Sequence, residues 1–144
     1  MLPTAEIIAQ SVRENPDVGI VATRTDDGSL RILVWNYHDV AAGFEEATAV
    51  KLQLNGLNTH YDVRAATLTR VDEHHANAFT IWRALGEPQS PTPAEIAALH
   101  AAAKLEPSSL PVAAEDAGSV RFDFHLLRHS VGLVSVPQRS PDRP

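Results

Sequence analysis

The sequence predicts a mainly-β domain, an antiparallel β-sandwich of immunoglobulin-like or jelly-roll-like kind, carrying a two-helix insertion. Three observations predict it. Short runs of alternating apolar phase recur between turn signals such as Asp26-Asp27-Gly28-Ser29 and Asn55-Gly56-Leu57-Asn58. Past a short N-terminal stretch, the period turns helical only over about residues 76–104, so hairpin-joined strands are expected and not an alternating parallel sheet. The chain of 144 residues and 15.6 kDa, 44% hydrophobic and 21% charged, has the make-up of one domain able to bury a core without disulfides.

The elements follow in order. Residues 4–14 read as a short helix, with Thr4 as cap, Ile7, Ile8 and Val12 on one face, and Asn15-Pro16 as its stop. Val18 to Arg24 and Leu30 to Tyr37 form a hairpin around Gly28, which supplies the positive φ its turn needs. The second run is apolar at nearly every position, which predicts a central strand with both faces covered. A loop from His38 to Ala47 carries Asp39, Glu45 and Glu46. Thr48 to Leu54 alternates, with Val50, Leu52 and Leu54 on one face. His60 to Arg70 reads as the returning strand, bulged where the phase slips at Ala65-Ala66.

Ala78, Ile81, Trp82 and Leu85 lie at spacings of three and four, so Asn77 to Leu85 is predicted helical, with Gly86 following as cap. Thr92-Pro93-Ala94-Glu95 combines an N-cap hydroxyl, a proline at the first helical position and a glutamate at the third, and opens a helix to about Lys104. The insert bears Phe79, Ile81, Trp82, Leu85, Ile96 and Leu99; it either closes one side of the sandwich or meets another surface. Val120 to Leu126 and Val131 to Val136 alternate about a tight turn at Arg128-His129. That makes six strands, few for a sandwich, so either a strand is missing from this chain or a sheet edge is expected to be covered by the insert or by a partner. The domain is expected to span 1–136, with 137–144 a flexible tail.

Lys plus Arg number 12 against 18 Asp plus Glu, a formal charge of −6, which gives no electrostatic drive toward nucleic acid. No stretch approaches the roughly 18 apolar residues of a membrane span, and the start, Met1-Leu2-Pro3-Thr4-Ala5-Glu6, lacks the pattern of an export leader. The expectation is a chain that binds neither nucleic acid nor membrane, cytoplasmic by default. With no cysteine, a thiolate zinc site is excluded, and no cofactor is expected.

Three stretches carry a family resemblance. Asp72-Glu73-His74-His75-Ala76-Asn77-Ala78-Phe79-Thr80-Ile81-Trp82 resembles the Asp-x-x-His-Ser-Asn-Ala-Tyr-x-x-Trp segment of glycoside hydrolase family 39, the β-xylosidases. Val34-Trp35-Asn36-Tyr37-His38-Asp39 is similar to that family's Val-Trp-Asn-Tyr-His-Asp strand, and Gly86-Glu87-Pro88-Gln89-Ser90-Pro91-Thr92-Pro93 to its Gly-x-Pro-x-x-Pro-Thr-Pro link. The resemblance covers about residues 2–136 and implies the C-terminal β-sandwich that such enzymes join to a catalytic (β/α)₈ barrel. A barrel needs about 200 residues or more. The family's acid/base glutamate follows an asparagine, whereas Asn15, Asn36, Asn55, Asn58 and Asn77 precede Pro, Tyr, Gly, Thr and Ala. No catalytic residue carries over. Ala76 and Phe79 stand where the family has Ser and Tyr, removing two hydroxyls.

The resemblance therefore implies a non-catalytic accessory domain of a retaining β-xylosidase, whose partners are the barrel or identical subunits. His75, Asn77, Phe79 and Trp82 are its candidate contact residues. The other class of reading is a stand-alone carbohydrate-binding module that takes xylo-oligosaccharide by aromatic stacking. Among eight aromatic residues, Trp35, Tyr37 and Trp82 sit at periodic positions that predict core, with Tyr37 and Trp82, at element ends, the candidate sugar contacts. Glu45 and Glu46 read as an acidic surface loop and not as paired catalytic carboxylates, since neighbours in extended chain diverge. Asp72, His74 and His75 with His38 or His60 match no metal-ligand spacing; a surface histidine, or one capping the helix at Asn77, is the expectation instead.

Overall fold

The computed structural model describes residues 6–7, 18–39 and 46–139. Two antiparallel sheets form the domain. The larger has the order β1 (Glu6–Ile7), β2 (Val18–Arg24), β3 (Leu30–Asn36), β9 (Ser130–Val136), β5 (Thr67–Val71), β6 (Ser108–Ser109). The smaller has the order β4 (Ala47–Asn55), β8 (Ser119–Leu127), β7 (Ala114–Asp116). β8 approaches both β3 and β9 across the gap, which makes the pair a sandwich. The inward phase of each strand fills it. Ile32, Val34, Phe122, Leu126, Val134 and Val136 are all fully buried, and each contributes roughly 1.5–3 kcal/mol of transfer free energy.

The predicted sandwich with a helical insert is thus observed, and its main hairpins are in place. β2 pairs with β3 around Gly28 at φ 77°, and β8 returns as β9 through Arg128-His129. Several expectations change. Glu6 and Ile7 pair with Arg24 and Thr23 as a strand, where a helix over 4–14 was expected; the open edge of β2 supplies the backbone partners. The rest of that expected helix lies outside the described residues. The phase slip at Ala65-Ala66 is not a bulge in a strand from His60 but a 3₁₀ turn, Val63–Ala65. After it the chain does not return beside β4; it crosses to the larger sheet, where β5 pairs with β9.

The edges also differ from expectation. Two short strands unforeseen in the sequence, β6 against β5 and β7 against β8, run along them. Residues 137–139, expected in the tail, are held: Asp62 N–H donates to Pro137 O (2.9 Å), Arg139 N–H to His60 O (2.6 Å) and Arg139 Nε to Tyr61 O (3.2 Å). The insert forms two helices, α1 (Ala78–Ala84) and α2 (Pro93–Ala102), packed on each other between β5 and β6. Neither has a buried residue, so the hairpin does not close the sandwich.

β3 is central, as expected, yet among the described residues only one of its faces is covered. Leu30, Ile32, Val34 and Asn36 point into the core, while Leu33 is half-buried and Trp35 is 36% exposed on the outer face. The expectation of a buried Trp35 is corrected on the same ground: its phase is opposite to the core phase.

Candidate functional site

Two of the stretches that carry the resemblance meet at one end of the sandwich, where β3 ends, β9 begins and β5 runs out at Val71. Register brings them there, since Asn36 faces Ser130, and Val131 faces both Trp35 and Val71.

At this end Asp72 organises the departure of the hairpin. Its side chain is 1% exposed, and Oδ1 accepts from His74 N–H (2.8 Å), His75 N–H (2.9 Å) and His75 Nδ1 (2.7 Å). Burial pushes the Asp72 carboxyl up, but the hydrogen bonds from the His75 ring and the His74 and His75 amides, with the charge of His75, hold it below the ordinary aspartate value. Ala76 takes a left-handed φ of 50°, and Asn77 then caps α1. Asn77 Oδ1 accepts from Phe79 N–H (3.0 Å) and Thr80 N–H (3.3 Å), while its Nδ2 donates back to Asp72 O (3.0 Å). Thr80 Oγ1 donates to Glu73 O at 3.0 Å. The cap is therefore Asn77 itself and not a histidine, because His75 is held by Asp72.

The far side of the hairpin is fastened likewise. Trp82 Nε1 donates to Pro88 O (3.2 Å), and Phe79 stacks on Trp82 with centroids 5.6 Å apart. Thr92 and Glu95 form the capping box read from the sequence: Thr92 N–H donates to Glu95 Oε2 at 2.7 Å and Glu95 N–H to Thr92 Oγ1 at 3.3 Å. Of the four candidate contact residues, His75 and Asn77 hold the loop, Trp82 holds the helix link, and Phe79 lies 60% exposed on α1.

Asn36 was not singled out in the sequence, and it joins the sheets. Fully buried, its Nδ2 donates to Thr48 Oγ1 (3.2 Å), Leu126 O (3.2 Å) and Leu127 O (3.1 Å), while Oδ1 accepts from His38 Nε2 (3.0 Å). The signal was present: a polar residue continues the inward phase of Leu30, Ile32 and Val34. The next residue, Tyr37, is 60% exposed, its ring edge-on to His129 at 5.8 Å. Tyr37 and Trp82 thus belong to separate clusters. Glu46 pairs with Arg128 at 3.0 Å, and Glu45 lies outside the described residues. Among the described residues no group of three or more His, Asp or Glu side chains is placed to hold a metal ion.

The two outer faces differ in chemistry. On the smaller sheet Lys51 faces Asp123, Gln53 faces Arg121 and Asn55 faces Ser119, a polar surface laced by Gln53 Nε2 donating to Ser119 Oγ at 3.0 Å. The larger sheet presents one cross-strand row of Gly19, Trp35, Val131 and Val71 beside a second of Val21, Leu33, Leu133 and Thr69. The indole lies against Gly19, where a Cβ would sit 2.0 Å from Trp35 Cζ2.

A two-sheet antiparallel sandwich with a self-capped helical hairpin between the inner strand β5 and the edge strand β6 is the class of domain this geometry defines. The model of the glycosyl hydrolases family 39 matches residues 2–121, and the chain belongs to that family. It is 27% identical over 105 residues to a β-xylosidase of Caldicellulosiruptor saccharolyticus, covering 73% of this chain and 21% of that protein. Among solved structures, the bacterial orthologue of human α-L-iduronidase matches 91% of this chain and 24% of its own, at 26% identity and a TM-score of 0.66. The family 39 β-xylosidase of Caulobacter crescentus shares the fold over 82% of this chain and 22% of its own, at 19% identity and a TM-score of 0.57. The chain thus spans about a fifth to a quarter of the length of these relatives.

Proposed function

We propose that this chain is a non-catalytic accessory domain of a family 39 glycoside hydrolase, supporting the catalytic barrel, with retaining hydrolysis of β-xylosides as the parent activity. One observation carries the reading. The polar side chains of the family motif, Asp72, His75, Asn77 and Trp82, are spent on one another and on backbone groups, holding a loop and two helices in place. Residues used in this way build shape and leave the glycosidic bond to another part of the enzyme.

Two further points support it. The same domain fold accompanies a β-xylosidase and an iduronidase orthologue, enzymes with different substrates, which suits a part that does not choose the sugar. Retaining hydrolysis also needs two carboxylates about 5–5.5 Å apart, whereas Asp72 is engaged by three donors and Glu46 by Arg128. The test is turnover of an aryl β-xyloside by the purified chain. No turnover above buffer is expected, and hydrolysis that tracks the protein through purification overturns the reading.

Tyr37 favours a second reading, a xylo-oligosaccharide contact, because an exposed phenol edged by His129 offers a stacking face. Titration with xylo-oligosaccharide, read by tryptophan emission and by loss of binding in Tyr37→Ala, decides for or against it.

A further inference from the structure

We infer that the outer face of β2, β3, β9 and β5, centred on Trp35, is the surface on which the catalytic portion of the parent enzyme docks; this rests on the accessory reading above. A solvated outer face of an antiparallel sheet normally alternates to polar residues. The smaller sheet obeys that rule, with Lys51, Gln53, Arg121 and Asp123 outward. The larger sheet breaks it. Val21, Leu33, Trp35, Val71, Val131 and Leu133 share its outer face, and charge enters only in the third row, at Arg31. Trp35, Val71 and Val131 are exposed although they are adjacent across three strands, so they form one patch and not scattered apolar residues.

The size of the patch decides between occupants. Four strands about 4.8 Å apart and two rows, or four residues of about 3.4 Å rise, give a footprint of roughly 260 Å², or about 520 Å² counted on both partners. A free-standing dimer needs about 1,200 Å² or more in total. Interfaces between domains of one chain begin near 600 Å², which the two rows with their rim approach, because the tether supplies the effective concentration. The face therefore fits a covalently attached domain. The relatives supply one, since roughly three-quarters of their length lies outside the region this chain matches.

The indole is set for such contact. It lies against Gly19, which has no side chain to displace it, and at 36% exposed it still offers apolar surface to a partner.

The test joins the whole chain to the C. saccharolyticus β-xylosidase in place of the region of that enzyme it matches. Oxidative footprinting then compares Trp35 in the fusion and in the free chain, with aryl-xyloside hydrolysis after heating as second readout. Trp35 is expected to oxidise several-fold more slowly in the fusion. Trp35→Arg and Val131→Glu are expected to shorten the thermal half-life of hydrolysis about tenfold, while Ala49→Arg, on the polar sheet, leaves it within about twofold. An active fusion in which Trp35 oxidises as in the free chain overturns the docking face and leaves the accessory reading standing. A fusion no more heat-stable than the catalytic portion alone overturns both. Protection of Trp35 in the free chain, with light scattering giving twice the monomer mass, assigns the face to a second copy and overturns the inference.

Discussion

Replacing Asp72 with alanine should unfasten the helical hairpin while leaving the sandwich folded. Asp72 Oδ1 accepts three hydrogen bonds, two from the amides of His74 and His75, in a side chain that is 1% exposed. Losing it leaves those amides without their acceptor, at about 1–1.5 kcal/mol each, or about 2–3 kcal/mol in all. α1 has seven residues and none buried, so it cannot hold itself as an isolated helix. The loss therefore appears as local opening, not as global unfolding. The assay is native-state hydrogen exchange. About 2–3 kcal/mol corresponds to roughly a thirty- to hundredfold loss of protection at the amides of Ile81–Leu85, with those of β3 and β9 unchanged. Asp72→Asn keeps an acceptor without its charge and should lose about tenfold. The pH dependence has a definite sign. The folded carboxyl titrates below its ordinary value of 3.8, so its stabilisation is complete above that pH and fades as pH falls through the folded value. The difference between wild type and Asp72→Asn should close over the same range. Equal protection of α1 in wild type and Asp72→Ala, or equal losses in hairpin and sandwich, refutes the reasoning.

Phe122 is fully buried between the sheets, so Phe122→Ala should cost about 3–5 kcal/mol of global stability in urea unfolding; a loss under about 1 kcal/mol means the core is assembled otherwise. Gly19→Ala places a methyl 2.0 Å from the Trp35 ring and should drive the indole off the sheet at a cost of about 1–3 kcal/mol, read as a red shift of tryptophan emission with a lowered Tm. Unchanged emission and Tm would mean that the ring does not rest on Gly19.

What was legible in the sequence was local. The capping box at Thr92 and Glu95 was readable to the individual bond because its four residues meet within one turn of chain. The alternation of β4, β8 and β9 was readable because period two records a single buried face. Pairing between distant segments was not. β6 has two residues and β7 three, too short to show a period, and β5 joins β9 and not β4 because the 3₁₀ turn at Val63–Ala65 redirects it. In the site, the spacing from Asp72 to Trp82 marked the right segment, while the partner of each side chain, Asp72 for His75 above all, emerged only from the folded loop.

The misreading of β3 has a physical cause that bears on the docking face. Its nearly continuous apolar run predicts cover on both sides, yet among the described residues only the inward side is covered. Composition records burial in the assembly a chain works in, whereas accessibility records burial in the chain alone. An outward Leu33 and Trp35 beside Leu133 and Val131 read as core from the sequence because a docked domain would make them core. The polar face of β4 and β8 is the internal control, since there sequence and accessibility agree. If Trp35 proves to be as open in the fused enzyme as in the free chain, that explanation fails, and the apolar outer rows would have to be a plain cost of this sheet.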